Sequence, residues 1–214
     1  MLRSLGLVAL PLVLVAACGG ASHPAPPPAT RSLASSPPSA TAASPANGPS
    51  AQKPVPAENN PPGDIPDNVD YVPYTNAAGR YAFTHPEGWS ETTRGSAVTF
   101  TDKLNGVQGR LGKDTAAPTV DLAKRRDVPA LTSNQSAFEL RSVTSVTVPG
   151  GSGVLIVYRR NSAPDRVTGR QYRDEVQRYE LVHAGREVVL ELFGPVGADN
   201  VDAYHRMIQS LKIS

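Results

Sequence analysis

Few residues in this chain are of a type and spacing that could do chemistry. Cys18 is the sole thiol and follows directly on an apolar stretch from Leu5 to Ala17. It has no second cysteine in the sequence to pair with. Four histidines, His23, His85, His183 and His205, show no metal-ligand spacing. Gly150-Gly151-Ser152-Gly153-Val154 lacks the last glycine of a serine-hydrolase elbow and reads as a turn. Gly112-Lys113-Asp114 lacks the upstream glycine and the hydroxyl of a phosphate loop. Asp174 and Glu175 are adjacent, so on a strand they point to opposite faces and do not make a carboxylate pair. No set of residues here points to catalysis, to a metal or to a cofactor.

Arginines supply a different chemistry. Arg159, Arg160, Arg166, Arg170, Arg173 and Arg178 fall close together, with Asp165, Asp174 and Glu175 among them. Guanidinium forks suit carboxylates and phosphates. Two readings follow. Arg159, Arg160, Arg166, Arg170 and Arg173 form a contact for anionic lipid head groups, wall polymers or an acidic protein surface; or they line an exposed loop and pair with its own acids.

The N-terminus has the layout of an export signal. Met1-Leu2-Arg3 carries the charge, Leu5 to Ala17 is apolar, and small residues surround Cys18. At about 13 residues the apolar stretch is shorter than the roughly 20 needed to span a bilayer. Val15-Ala16-Ala17-Cys18 is similar to a bacterial lipobox, with Val where Leu is more frequent. That resemblance implies a signal peptide over residues 1–17, a diacylglycerol on the Cys18 sulfur, and Cys18 as the mature N-terminus. The expected location is the outer face of the cytoplasmic membrane, lipid-anchored. A stray thiol in an ordinary secretory signal is the other reading.

Composition then changes along the chain. Between Gly19 and Asp70 there are 13 prolines and no aromatic residue, whereas all 12 aromatics lie at Tyr71 or later. A segment with so little to bury does not offset its conformational entropy. Residues 18–70 are therefore expected to be a disordered Pro/Ala/Ser-rich linker, and 71–214 one globular domain of ordinary size. The formal net charge of +2 over 214 residues gives no basic excess of the kind that nucleic-acid binding requires.

Within that domain the pattern predicts mainly strands. Tyr81–Thr84, Trp89–Thr93 and Ala97–Thr101 are short β-rich runs, and Gly106–Leu111 reads as a weaker strand whose glycines mark a bulge or an edge. Val143–Val148 alternates as a half-buried strand does. Val154–Tyr158 is continuously apolar, as in a central strand covered on both faces. Val176–His183 and Glu187–Phe193 flank Ala184-Gly185 and predict an antiparallel hairpin, with Val188, Leu190 and Leu192 on one face and Glu187 and Glu191 on the other. A helix is expected from Pro118 to Arg126, ending before Pro129. A second begins at Asp199 or Asn200 and places Val201, Tyr204, Ile208 and Leu211 on its packed face. The sum is an α+β domain with a mainly antiparallel sheet.

Tyr81-Ala82-Phe83-Thr84-His85-Pro86-Glu87-Gly88-Trp89 resembles the opening hairpin of PsbP-like domains. Gly194-Pro195-Val196-Gly197-Ala198-Asp199-Asn200-Val201-Asp202, leading into the last helix and Ser210-Leu211, resembles their closing stretch. The chain as a whole is similar to actinobacterial envelope lipoproteins with a PsbP-like domain. The resemblance implies a PsbP-like α/β/α sandwich with a central, mainly antiparallel sheet. It also implies a non-catalytic binding or assembly module, with a protein or glycan of the envelope as partner and no catalytic residues to carry over. A small-ligand carrier or hydrolase, using a cleft between sheet and helices, is the alternative from another class; a pocket holding His183 or His205 beside a carboxylate is its mark.

Overall fold

A computed structural model describes residues 49–214. The signal segment, Cys18, His23 and the linker as far as residue 48 lie outside the described residues. Ten strands and two helices follow a short 3-10 turn at Pro49–Ala51. Strands β1 (Tyr71–Asn76), β2 (Tyr81–Pro86) and β10 (Lys212–Ile213) make a three-stranded sheet in the order β1-β2-β10. The other seven are β3 (Ser90–Arg94), β4 (Ala97–Asp102), β5 (Asn105–Leu111), β6 (Glu139–Val148), β7 (Gly151–Asn161), β8 (Arg173–His183) and β9 (Arg186–Pro195). They form one sheet in the order β3-β4-β5-β9-β8-β7-β6, antiparallel at every pairing. With helices α1 (Val120–Asn134) and α2 (Val201–Gln209), the domain is α+β and mainly antiparallel, as the patterning predicts.

Alternation along the large sheet assigns its two faces. Val107, Leu181, Val188, Leu190 and Leu192 point one way and pack against Tyr81 and Phe83 of β2 and Tyr204, Met207 and Ile208 of α2. This is the main core. On the other face Val154, Ile156, Tyr158 and Val176 meet Ala123 and Leu131 of α1. β7 is thus covered on both sides, but it is next to the edge rather than central; the middle strand is β9.

β5 corrects the reading of its glycines. It lies between β4 and β9, well inside the sheet. A Cβ on Gly106 would sit 2.1 Å from the Phe193 ring, and one on Gly109 would sit 2.9 Å from the Tyr81 ring. The glycines give aromatic rings on opposite faces room to lie on the strand; they mark close approach, not an edge.

Three further differences have simple causes. α1 continues through Pro129 to Asn134, because Val128 and Leu131 beyond the expected stop pack into the second core. Tertiary burial there outweighs the local cost of proline. Its start is as expected, with Thr119 as N-cap accepting from Leu122 N at 3.2 Å. On α2, Val201 is 70% exposed, while Met207, not assigned from the sequence, is fully buried beside Tyr204 and Ile208. The packed edge begins one turn later than expected.

The globule also starts before Tyr71. Ile65 is buried in the main core. Its N–H donates to Asn200 Oδ1 at 2.8 Å, and Val55 N–H donates to Asn161 Oδ1 at 3.0 Å. Residues rich in proline make no sheet ladder, yet buried asparagine side chains satisfy their backbone instead. The domain boundary therefore lies upstream of residue 70.

Candidate functional site

α1 covers only part of its face of the large sheet. Its apolar stripe sits over β7 and β8, where Val154, Ile156, Tyr158 and Val176 are. Toward β9 and β5 the same sheet face turns charged. Register places Gln108, Glu191 and Arg178 in one row across β5, β9 and β8, and Arg110, Val189 and Glu180 in the next. Asp127, Ala130 and Asn134, three and four residues apart on α1, overhang these rows. Between helix and sheet lie two adjoining hollows of about 360 Å³ and 300 Å³, which share Arg110, Asp127, Ala130 and Arg178.

Most charges in this recess hold one another. Arg178 Nε donates to Glu180 Oε1 at 2.7 Å, and Arg178 Nη1 donates to Glu191 Oε1. The arginine is held above its usual range: burial acts to lower it, and Glu191 and Glu180 together outweigh that. Glu187 Oε2 accepts from the backbone amides of Lys113 at 2.6 Å and Asp114 at 2.8 Å. A Cβ on Gly112 would stand 1.9 Å from that same oxygen. The Gly112-Lys113-Asp114 turn is therefore a cradle for an internal carboxylate. Arg126 forks onto Asp114 with donor distances of 2.8 Å and 2.7 Å, and this hydrogen bonding keeps the Asp114 carboxyl below its usual range.

Three groups are left over, one of them Lys113, which is exposed and makes no ion pair among the described residues. Glu180 is 1% exposed, and its Oε2 has no hydrogen-bond partner. Burial pushes its carboxyl upward against the pull of Arg178. Arg110, half-buried, makes no ion pair among the described residues; Nη1 donates only to the carbonyl of Leu111, at 3.4 Å. Burial and the neighbouring Arg178 both lower it, while Glu191, Glu180 and Glu187 act the other way.

The arginines singled out from the sequence are not brought together. Arg159 pairs with Glu175 at 3.1 Å, and Arg160 lies 3.8 Å from Asp174, donates to Gln135 at 3.0 Å and stacks over Phe193. Arg170 pairs with Glu58 and lies over Tyr172. Arg166 is exposed on the loop between β7 and β8, without an ion pair among the described residues. Arg173 cannot serve as a surface contact: it is 5% exposed and donates to Ala137 O at 2.7 Å and Glu139 at 2.9 Å. Only Arg160 and Arg178 reach the recess.

The histidines stand apart from it. His85 is a core residue, stacked on Phe100 with ring centroids 3.6 Å apart, and burial lowers its pKa. His183 and His205 are exposed. Ser152, at the start of β7, is exposed beside Thr147. Among the described residues no group of three or more His, Cys, Asp or Glu is placed to hold a metal ion, and no helix is long and apolar enough to cross a membrane. A larger hollow of about 440 Å³ beside Trp89 has no buried charged side chain in its lining.

Arg110, Glu180, Glu187 and Glu191 were not identified as site residues from the sequence. A signal for them existed. Ala184 and Gly185, with φ of 47° and 75°, make a two-residue turn, which fixes the hairpin register and so sets Arg178 opposite Glu191.

No family model and no curated protein matches this sequence. Among solved structures, the chain is similar to a protein of Bacteroides thetaiotaomicron VPI-5482, with 12% identity and a TM-score of 0.41 over 66% of this chain and 48% of that one. This chain thus spans about half the length of that protein. It is also similar to the Saccharomyces cerevisiae Ran-binding protein Mog1p, with 8% identity and a TM-score of 0.44 over 68% of this chain and 96% of that one.

Proposed function

We propose that this chain is an exported protein tethered by a lipid on Cys18 to the outer face of the cytoplasmic membrane, with a globular domain that binds without catalysing. The tether reading rests on Val15-Ala16-Ala17-Cys18 at the end of the apolar Leu5–Ala17 stretch. Each buried methylene of an acyl chain contributes about 0.8 kcal/mol, so the two chains of a diacylglyceryl group hold a protein at a membrane without help from the polypeptide. The domain is then confined near other membrane components, which raises effective concentration and lets a weak site work.

The layer order supports the finer fold reading. α1 lies on one face of the seven-stranded sheet, and α2 with the small sheet lies on the other. A PsbP-like α/β/α sandwich has such an arrangement, and that family reading implies binding or assembly.

The recess under α1 carries the binding reading. Most of its charges are fixed by one another and by backbone amides before any occupant arrives, so little ordering is left to the binding step. The large apolar side chains exposed among the described residues are Leu140, Val167 and Val201, on three separate segments. They form no apolar docking patch, which favours a small polar occupant over a broad hydrophobic partner surface.

Membrane fractionation tests the tether. The wild type is expected to stay with membranes through a high-salt wash and to be released by detergent, and Cys18→Ser to be released without it. Retention of the serine variant on washed membranes contradicts the proposal.

A further inference from the structure

We propose that the hollow beside Trp89 binds a methylated ammonium group, held against the indole and drawn there by three carboxylates. The hollow shares no lining residue with the recess beneath α1, so the inference goes beyond the binding reading above and stands apart from it.

Three stretches wall this hollow: residues 62–69, the β2–β3 turn with Trp89, and the β4–β5 turn. Hydrogen bonds between segments hold them in place. Asn105 Nδ2 donates to Gly63 O at 2.6 Å, Ile65 N–H donates to Asn200 Oδ1 at 2.8 Å, and Glu87 N–H donates to Asp70 O at 2.8 Å. The space of about 440 Å³ is therefore formed before an occupant arrives, and it falls in the size range of small-molecule sites.

Its lining is open to a ligand. Trp89 packs against the main core but is only partly buried, which leaves part of the indole in the wall. Pro62, Pro66 and Val69, none of them buried, extend the apolar surface. Asp64 and Glu87 are exposed and Asp102 is partly so, and none of the three makes an ion pair among the described residues. Asp64 Oδ1 accepts a backbone N–H, that of Asp199, at 2.9 Å. Against these three acids the lining has one cation, the exposed Lys103.

That balance sets the sign of the occupant, and an indole is the best aromatic partner for a cation. The kind of cation follows from how the acids are spread. Among the described residues no three acidic or histidine groups are placed to hold a metal ion, so the carboxylates do not converge on a point. The wall also has no buried charged side chain to replace lost water. A strongly hydrated ion, metal or plain ammonium, would forfeit its hydration for little return. A methylated ammonium spreads its charge over C–H surface, holds water weakly, and gains from the indole and the prolines together. An anion would meet three like charges.

Trp89 is the single tryptophan of the chain, so its emission reports on this hollow alone. The full-length protein at neutral pH is titrated with choline chloride, with dimethylbutanol as the uncharged isostere of choline, and with sodium chloride at matched ionic strength. Choline is expected to give a saturable change and to bind at least about tenfold more tightly than the isostere. Asp102→Asn and Lys103→Gln remove opposite charges from the same turn. The first is expected to weaken choline binding by about threefold or more, and the second to strengthen it by a similar factor. Vesicles of phosphatidylcholine, set against vesicles of phosphatidylglycerol, tell the source: a response to the former assigns a lipid head group, and a response to choline alone assigns a free small molecule. Equal binding of the isostere overturns the proposal, as does a sodium chloride curve that matches choline. No saturable change up to about 100 mM choline, or two variants that move affinity in the same direction or not at all, overturns it as well.

Discussion

Arg178 stands directly opposite Glu191 across the β8–β9 hairpin, and the same guanidinium also holds Glu180 two residues along its own strand. All three side chains are at least nearly nine-tenths buried, at 11%, 8% and 2% exposed. Removing the arginine leaves two carboxylates in a dry place with nothing to offset their desolvation. Arg178→Met is therefore expected to cost about 3–5 kcal/mol, read as a lower midpoint in urea unfolding. Replacing Glu180 and Glu191 by methionine as well should recover most of that loss, because the triad is then apolar throughout. A single variant as stable as the wild type contradicts the triad's role.

Asp174 sets an acid-side dependence. It is 3% exposed, and its carboxyl is pushed up to about 6 by burial, against Arg160 and Arg173. Unfolded, the group titrates near 3.8. The folded state thus binds this proton more tightly. Its contribution is fully present below about pH 4 and is lost as pH rises to about 6, at about 1.4 kcal/mol per unit. Asp174→Asn should abolish that loss. The variant is expected to gain on the wild type by up to about 3 kcal/mol at pH 7 and by little at pH 4. Parallel stability curves for the two proteins contradict it.

β5 should tolerate no side chain at Gly106, where a Cβ would meet the Phe193 ring at 2.1 Å. Gly106→Ala is expected to destabilise by about 1–3 kcal/mol, and pairing it with Phe193→Leu should reduce the loss. Additive effects in that double variant would mean the two residues do not compete for the same space.

Helix positions give opposite signs. Ile208, 2% exposed, faces the main core, and Ile208→Asp is expected to unfold the domain, whereas Val201→Asp, at an exposed N-terminal position of α2, should be neutral or slightly favourable. Pro129 is exposed inside α1, so Pro129→Ala should restore a helical hydrogen bond and raise the melting temperature by several degrees.

The hairpin, its turn and the inward face of β9 were legible because a period-two pattern and a two-residue turn act locally. Gly106 and Gly109 misled because a glycine signals missing side-chain volume without telling which distant ring fills it. Pro129 misled because the burial of Leu131 is a tertiary term. Ile65 stood in a segment whose composition argues for disorder, and its partner Asn200 is 135 residues away. The recess was hidden for another reason. Glu187 and Glu191 alternate like a solvated face, and only the overhang of α1 turns that face into a lined site.

The tether is the claim on which the rest of the functional account depends, and mass spectrometry of the N-terminal peptide from native membranes tests it most directly. Cys18 is expected as the first residue, with a diacylglyceryl adduct on its sulfur. An unmodified cysteine, or a chain that starts at any other residue, contradicts it.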